Sequence, residues 1–140
     1  MTRNRASAKR AGARMEQAVA DYLAWALNDP RIERRHLTGS KDRGDITGVM
    51  HDGQRVVIEV KNTSKLALAE HMGEAMEEAM NDDATFWALV QKRKGIGIDS
   101  PAGVGSQLVC MTLEQYALLL NHGQPLGPDE EDETIREETK

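Results

Sequence analysis

Two short segments of the chain carry residues whose types and spacing could bind a metal ion or move a proton. Residues 44–46 read Gly-Asp-Ile, and residues 58–61 read Ile-Glu-Val-Lys. Because side chains alternate along a strand, Glu59 and Lys61 project from one face while the residue between them points away. Asp45 and Glu59 offer the hard oxygen ligands that Mg²⁺ prefers. The ammonium group of Lys61 could orient or deprotonate an attacking water, or neutralise charge on a phosphorus centre.

Whether Asp45 joins Glu59 depends on how the two segments pair. They flank the turn signal His51-Asp52-Gly53, which predicts an antiparallel hairpin. A three-residue loop at this point places Asp45 opposite Glu59, whereas a two-residue turn places Asp45 opposite Val60 and on the other face. The choice of loop therefore decides whether the carboxylates meet.

The packing of the hairpin favours the three-residue loop. In that register Ile46 lies opposite Ile58 and Gly48 lies opposite Val56, which gives a coherent apolar face. The alternative interpretation is that the acid and the lysine at positions 59 and 61 merely lie where the strand emerges into solvent.

An aspartate, a spacer and Glu-x-Lys together resemble the active-site signature of PD-(D/E)XK nucleases. The pattern is most similar to the small Holliday junction resolvases of archaea and their phage-encoded relatives, from about Arg14 to Gly95. The resemblance implies a restriction-endonuclease-like fold and a metal-dependent endodeoxyribonuclease that cleaves four-way or other branched DNA as a homodimer. It also implies a location in the cytoplasm, that of the host if a phage encodes the protein.

The same resemblance assigns roles to individual residues. Asp45 and Glu59, with the carbonyl group of Val60, would bind Mg²⁺ or Mn²⁺. Lys61 would assist the nucleophilic water, and Glu16 on the first helix would contribute to the same site. The glycine at position 44 stands where the family usually has proline, which we interpret as a harmless variation. The second helix lacks the glutamine-tyrosine motif of the exonuclease branch.

Charge along the chain is unevenly distributed. The net charge is −5, but residues 128–140 account for all of it with seven acidic and two basic residues. Residues 1–14 contain five basic residues and no acidic one, which predicts a flexible basic arm for a polyanion, or simply a disordered terminus. Candidate residues for DNA contact near the proposed site are Arg34, Arg35, Ser40, Lys41, Arg43, Lys92, Arg93 and Lys94.

Hydrophobic periodicity predicts one α/β domain over residues 15–124, followed by an acidic disordered tail over 125–140. The expected order is α-β-β-β-α-β-β-α, a mixed sheet with a central antiparallel hairpin flanked by helices. We expect helices over 8–27, 66–81 and 112–121, and strands over 32–37, 45–50, 55–61, 85–90 and 107–111. The glycine-rich segment 95–105 is predicted to be a mobile loop.

Several apolar residues are assigned to the core. Trp25 and Trp87 lie in apolar stretches, and Met72, Met76, Ala79 and Met80 form one side of the second helix. Glu70, Glu74 and Glu77 lie on its opposite side, where we expect them to be solvated.

Other function classes fit less well. The single cysteine excludes an intrachain disulfide, the histidines show no zinc-ligand spacing, and no apolar run is long enough to span a bilayer. The alternatives to a junction resolvase are a restriction-like or flap-cleaving nuclease of the same superfamily, a non-catalytic DNA-binding module on that scaffold, or a protein–protein adaptor that uses the methionine-rich helix. The adaptor leaves the acid–lysine set unexplained.

Overall fold

The computed structural model describes residues 4–35 and 44–128, which form a mixed α/β fold. Its helices are α1 (Arg5–Ala26), α2 (Leu68–Asn81), α3 (Pro101–Gly105) and α4 (Leu113–Leu120). Its strands are β1 (Glu33–Arg34), β2 (Ile46–Thr47), β3 (Met50–His51), β4 (Gln54–Lys61), β5 (Phe86–Gln91) and β6 (Leu108–Cys110). None of these helices is long and apolar enough to cross a membrane.

The sheet has six strands, in the order β1-β2-β4-β5-β6, with β3 paired to β4. β4 and β5 are parallel, and the other pairs are antiparallel. Both central strands are rich in apolar residues because each is covered on both faces. Ile58 and Val60 pack with α1 in one core cluster, whereas Val57 packs with α2 in a second. This alternation directs the odd-numbered residues of β4 toward α2.

The hairpin forms the predicted pairing of Ile46 with Ile58, but with a different turn. Asp52 and Gly53 form a two-residue turn with positive φ at both positions, since His51 pairs with Gln54. The predicted three-residue loop is therefore wrong. Farther along, Ile46 still lies opposite Ile58.

One extra residue in the first arm of the hairpin accounts for the restored register. Val49 accepts a backbone hydrogen bond from Val56 at 2.9 Å, so the predicted pairing of Gly48 with Val56 is also wrong. Residues 47 and 48 together oppose a single residue of β4, which is a β-bulge. Gly48 has φ +86, and an added Cβ would lie 2.3 Å from the carbonyl oxygen of Arg31. Only glycine fits this conformation and this close approach.

The first helix begins earlier than predicted. Asn4 caps its start, and the Asn4 side chain accepts a hydrogen bond from the Ser7 N–H group at 2.8 Å. The helix then runs through residues 5–14, which corrects the prediction of a flexible basic arm over that stretch. Arg5, Lys9, Arg10 and Arg14 are exposed on it.

Three of the apolar residues assigned to the core are instead exposed. Trp25 is 68% exposed near the end of α1, while Trp87 is buried as predicted. On α2 the buried residues are His71, Ala75, Glu78 and Ala79, so the predicted apolar face is rotated. Met76 and Met80 are consequently 50% and 72% exposed, because the sheet packs against a side of α2 that includes polar residues.

The glycine-rich segment is more ordered than predicted. It contains α3, which is capped by the Ser100 side chain, and it is fastened by the Gln107 amide. That amide donates to the carbonyl oxygens of Ile96 and Gly103 at 3.1 and 2.9 Å. After β6, the Thr112 side chain caps α4 as the sequence predicts. Of the acidic tail predicted over 125–140, residues 129–140 lie outside the described residues.

Candidate active site

Asp45 lies just before β2, where the chain leaves the ladder with β4. Its N–H group donates to the carbonyl oxygen of Ile58 at 2.8 Å, and its Oδ2 accepts from the Val60 N–H group at 2.7 Å. The predicted backbone pairing with Glu59 does not form here, because the carboxylate takes the place of a ladder acceptor. The two side chains nevertheless lie close enough to interact.

The residue before the aspartate fits the nuclease signature that the sequence resembles less well than the sequence suggests. Gly44 has φ +93, and an added Cβ would lie 2.9 Å from a Val57 methyl group. Proline fixes φ near −65°, so it could not occupy this position without moving the backbone. The exchange of proline for glycine is therefore not the harmless variation that we predicted.

Glu59 and Lys61 share the face of β4 that is directed toward α2, as the alternation predicts. Glu59 is 5% exposed, and its Oε1 lies 3.2 Å from Lys61 Nζ. The interpretation that these two residues merely emerge into solvent is thus wrong for Glu59. Lys61 is the partly exposed member of the pair, at the end of the strand.

Glu74 on α2 is a member of the cluster that sequence reasoning missed. Its Oε2 lies 2.6 Å from Lys61 Nζ, so it is not the solvated residue that we expected. Three glutamates share that side of α2 in the sequence, and no feature distinguishes Glu74 from the others. Only the packing of α2 across β4 selects it.

Burial and mutual repulsion set the protonation of Asp45. Desolvation, followed by the nearby Glu59 carboxylate, raises the pKa of Asp45 from 3.8 to about 8, although the Val60 N–H group opposes the shift. Glu59 Oε2 is buried without a hydrogen-bond partner among the described residues. A divalent cation between these oxygens would offset the repulsion between the two carboxylates and would give Glu59 Oε2 a partner. The donor set therefore fits Mg²⁺ or Mn²⁺.

Lys61 is held in its charged form. Burial alone would lower its pKa, but hydrogen bonds and charge from Glu74 and Glu59 outweigh burial and raise it. An ammonium group in this state donates hydrogen bonds and stabilises negative charge. It has no lone pair with which to deprotonate water at neutral pH, so the structure favours orientation of the water or neutralisation of charge on phosphorus over deprotonation.

Glu16 lies at the margin of this cluster. Its Oε2 forms an ion pair with Arg34 Nε at 2.7 Å, and its charge makes a smaller contribution to the raised pKa of Asp45. Its predicted role at the metal, and that of the Val60 carbonyl group, stay predictions.

The predicted DNA-contacting residues fall into three groups. Arg34 and Arg35 are already paired with carboxylates, Arg34 with Glu16 and Arg35 with the buried Asp82. At the end of β5, residues 92–94 are exposed or half-buried. Ser40, Lys41 and Arg43 lie outside the described residues.

A cleft joins the basic face of α1 to the residues that follow β4 and β5. Arg14, Asn62 and Lys92 line this cavity of about 210 Å³. Arg14 is loosely paired with Asp99 at 3.6 Å, and both side chains are exposed. Sequence reasoning placed Arg14 in a separate arm, because it could not show that α1 crosses β4 at this point.

Comparison of the chain with protein-family models, with curated proteins and with solved structures finds no significant match. A function for this protein is therefore inferred from the geometry of the cluster formed by Asp45, Glu59, Lys61 and Glu74.

The raised pKa of Asp45 predicts a pH dependence of stability in EDTA. The folded protein keeps a proton on Asp45 that the unfolded chain loses above pH 3.8. This contribution to stability is complete below pH 3.8 and is lost as the pH rises through about 8. Its slope is at most about 1.4 kcal/mol per pH unit.

Urea denaturation of wild type and Asp45→Asn between pH 5 and 8 isolates this contribution. We expect the free energy of unfolding of the wild type, relative to the variant, to decrease as the pH rises. Parallel curves would show that Asp45 titrates normally.

Proposed function

We propose that the protein is a metal-dependent endodeoxyribonuclease that cleaves branched DNA, in particular four-way junctions, as a homodimer. The observation that carries this proposal is the half-buried Asp45 and the buried Glu59 beside the ammonium group of Lys61, near the end of a central strand. A protein that only binds DNA gains nothing from two clustered carboxylates, since they repel phosphate. Two adjacent carboxylates are useful when they bind a cation that in turn binds the phosphate to be cleaved.

Asp45 and Glu59 would hold the ion, which when bound lowers the pKa of a water molecule and offsets phosphate charge. The chain's own residues supply the rest. Val60 fixes the Asp45 carboxylate through its N–H group, and Lys61 fixes Glu59 through its ammonium group. Both ligands are thus oriented by partners that belong to the same strand.

Lys61 also faces the position where charge develops. Hydrolysis forms a bond from water oxygen to phosphorus and breaks the bond from phosphorus to the 3′ oxygen. The attacking water gives a proton to bulk solvent and the 3′ oxygen takes one from it, which leaves a 5′-phosphate and a 3′-hydroxyl. Negative charge grows on the phosphoryl oxygens during this exchange, and a permanently charged ammonium stabilises it. Glu74 keeps Lys61 protonated and limits its motion.

A homodimer suits the proposed substrate. Resolution of a four-way junction requires two cuts, and a two-fold dimer presents two equivalent sites with matching symmetry. The exposed basic residues along α1 and the cleft lined by Arg14 and Lys92 would contact the phosphate backbone of the DNA.

A panel of labelled substrates tests the proposal: a four-way junction, a flap, a linear duplex and a single strand, each with Mg²⁺ and with EDTA. We expect paired symmetric nicks on the junction with Mg²⁺ and no cleavage in EDTA. Cleavage confined to the flap or duplex would keep the nuclease chemistry but overturn the junction assignment. Binding without cleavage of any substrate would overturn the proposal.

The cleft predicts a salt dependence that mutation should reduce. The slope of log affinity against log salt concentration is negative. For Arg14→Ala/Lys92→Ala, we expect its magnitude to decrease by about 2, because each lost phosphate contact removes about 0.9. Fluorescence anisotropy from about 50 to 200 mM salt measures the slope. Arg31→Ala is the control, since Arg31 is an exposed arginine paired with Asp29 near the opposite end of β4. Equal slopes for the variant and the control would show that the cleft does not contact the phosphates of the DNA.

A further inference from the structure

A second group of metal-ligating side chains lies at the turn of the hairpin. His51 ends β3, Asp52 opens the turn, and His122 follows α4. One ligand atom from each of these three side chains lies within 4.8 Å of the other two. Within residues 4–35 and 44–128, no other set of three or more histidine, cysteine or acidic side chains meets this condition. Sequence spacing missed the group because 70 residues separate Asp52 from His122.

The contacts within the group are short. His122 Nδ1 lies 2.6 Å from Asp52 Oδ2, and His51 Nε2 lies 3.1 Å from the same oxygen. A fourth atom completes the set, since His51 Nε2 also lies 3.0 Å from the carbonyl oxygen of Leu119. The result is two imidazole nitrogens and a carboxylate oxygen close together, with the Leu119 carbonyl oxygen beside one of the nitrogens.

Hydrogen bonding alone satisfies this set poorly. His51 Nε2 can carry one proton, yet it faces a carboxylate and a carbonyl group that both only accept. One N–H group would have to be shared between the two acceptors, which weakens both hydrogen bonds. A tetrahedral ion with bonds of about 2.0–2.1 Å spaces its ligand atoms roughly 3.3 Å apart, so small outward shifts from the present separations would accommodate it.

The backbone holds these ligands in place before any ion binds. Asp52 and His122 both have positive φ, near +50° and +56°, so each side chain is directed by a fixed turn. The His51 ring packs edge-on against Phe86 at 5.1 Å and is stacked with the His122 ring at 6.0 Å. His122 and Asp52 are exposed, with 70% and 42% of their side-chain surface accessible, so an ion can reach them from solvent.

We infer that His51, Asp52, His122 and the Leu119 carbonyl group form a site for a divalent transition-metal ion, with Zn²⁺ as the best match. Two imidazoles favour Zn²⁺ over Mg²⁺, which prefers an all-oxygen shell. The site lies at the opposite end of β4 from Lys61, roughly 20 Å along the strand. It is therefore independent of the proposed nuclease centre, and its ion fastens the hairpin turn to the end of α4.

Two substitutions test the site without disturbing its backbone. Asn adopts positive φ readily, so His122→Asn removes one imidazole, and Asp52→Asn makes the Asn-Gly pair favoured in two-residue turns. Both are made in an Asp45→Asn background, so that ions at the Asp45–Glu59 pair do not contribute. Cys110→Ser in that background is the control for the thiol.

After dialysis against EDTA, Zn²⁺ is titrated by calorimetry at pH 7.5, and melting is followed at about 100 times the measured dissociation constant. We expect one Zn²⁺ per chain and a rise in Tm on the order of 10 °C in the background protein and in the Cys110→Ser control. Affinity should decrease at least tenfold in each asparagine variant. An unchanged affinity in His122→Asn, or no rise in Tm in the background protein at about 100 times the dissociation constant, would overturn the inference, as would the absence of measurable Zn²⁺ binding.

Discussion

Replacing Asp45 with asparagine is expected to reduce Mg²⁺-dependent cleavage of a four-way junction at least about 1,000-fold. The amide keeps the size of the side chain and can still accept the Val60 N–H group, but it removes one of the two charges that hold the ion. Loss of about 4 kcal/mol of transition-state stabilisation corresponds to this factor. Single-turnover cleavage of a labelled junction measures it.

The same variant should fold well. In EDTA near pH 8 we expect its free energy of unfolding to equal or exceed that of the wild type, because the substitution removes a half-buried acid whose charged form is disfavoured. Asp21→Asn, at an exposed position of α1, is the matched control and should cleave at the wild-type rate. Wild-type cleavage by Asp45→Asn would refute the assignment of Asp45.

The largest effect on stability is expected from Gly48→Ala. An alanine Cβ would lie 2.3 Å from the Arg31 carbonyl oxygen, so the bulge or the segment beneath it must move. Positive φ alone costs a residue with Cβ about 1–2 kcal/mol, and the backbone clash adds to that. We expect a total loss of roughly 3 kcal/mol or more in the free energy of unfolding, measured by urea denaturation.

Gly53→Ala separates the two contributions. Gly53 also has positive φ, +77, but an added Cβ meets nothing within 4 Å. It should therefore cost only the conformational part, about 1–2 kcal/mol. We further expect Gly48→Ala to lose most cleavage activity even where it remains folded, because the bulge sets the register that brings Asp45 to Glu59. Equal losses of stability for the two variants would show that the contact with Arg31 is unimportant.

Local pattern predicted the central strands well. The apolar run of β4 ends in Glu-x-Lys, and alternation along it correctly placed Glu59 and Lys61 on one face. The Thr112 cap of α4 was predicted for a similar reason, since a cap depends on residues within one helical turn. Such features need no knowledge of the rest of the fold.

Features that depend on packing between distant segments were not predicted. The predicted pairing of Ile46 with Ile58 forms only because a bulge at Gly48 compensates for a turn one residue shorter than predicted. Glu74 and the rotated face of α2 follow from how that helix lies on the sheet, which hydrophobic periodicity cannot resolve when methionines and alanines alternate. The cleft beside Arg14 was not predicted for the same reason, because it depends on how α1 packs against the sheet.

The central claim is that Asp45 and Glu59 share one divalent cation. Anomalous diffraction from crystals soaked in Mn²⁺ tests it directly, with Mg²⁺-free and Zn²⁺-free solutions. We expect a manganese peak about 2.0–2.3 Å from carboxylate oxygens of both residues. A map with no peak there at saturating Mn²⁺, or with manganese only beside His51 and His122, would contradict the account.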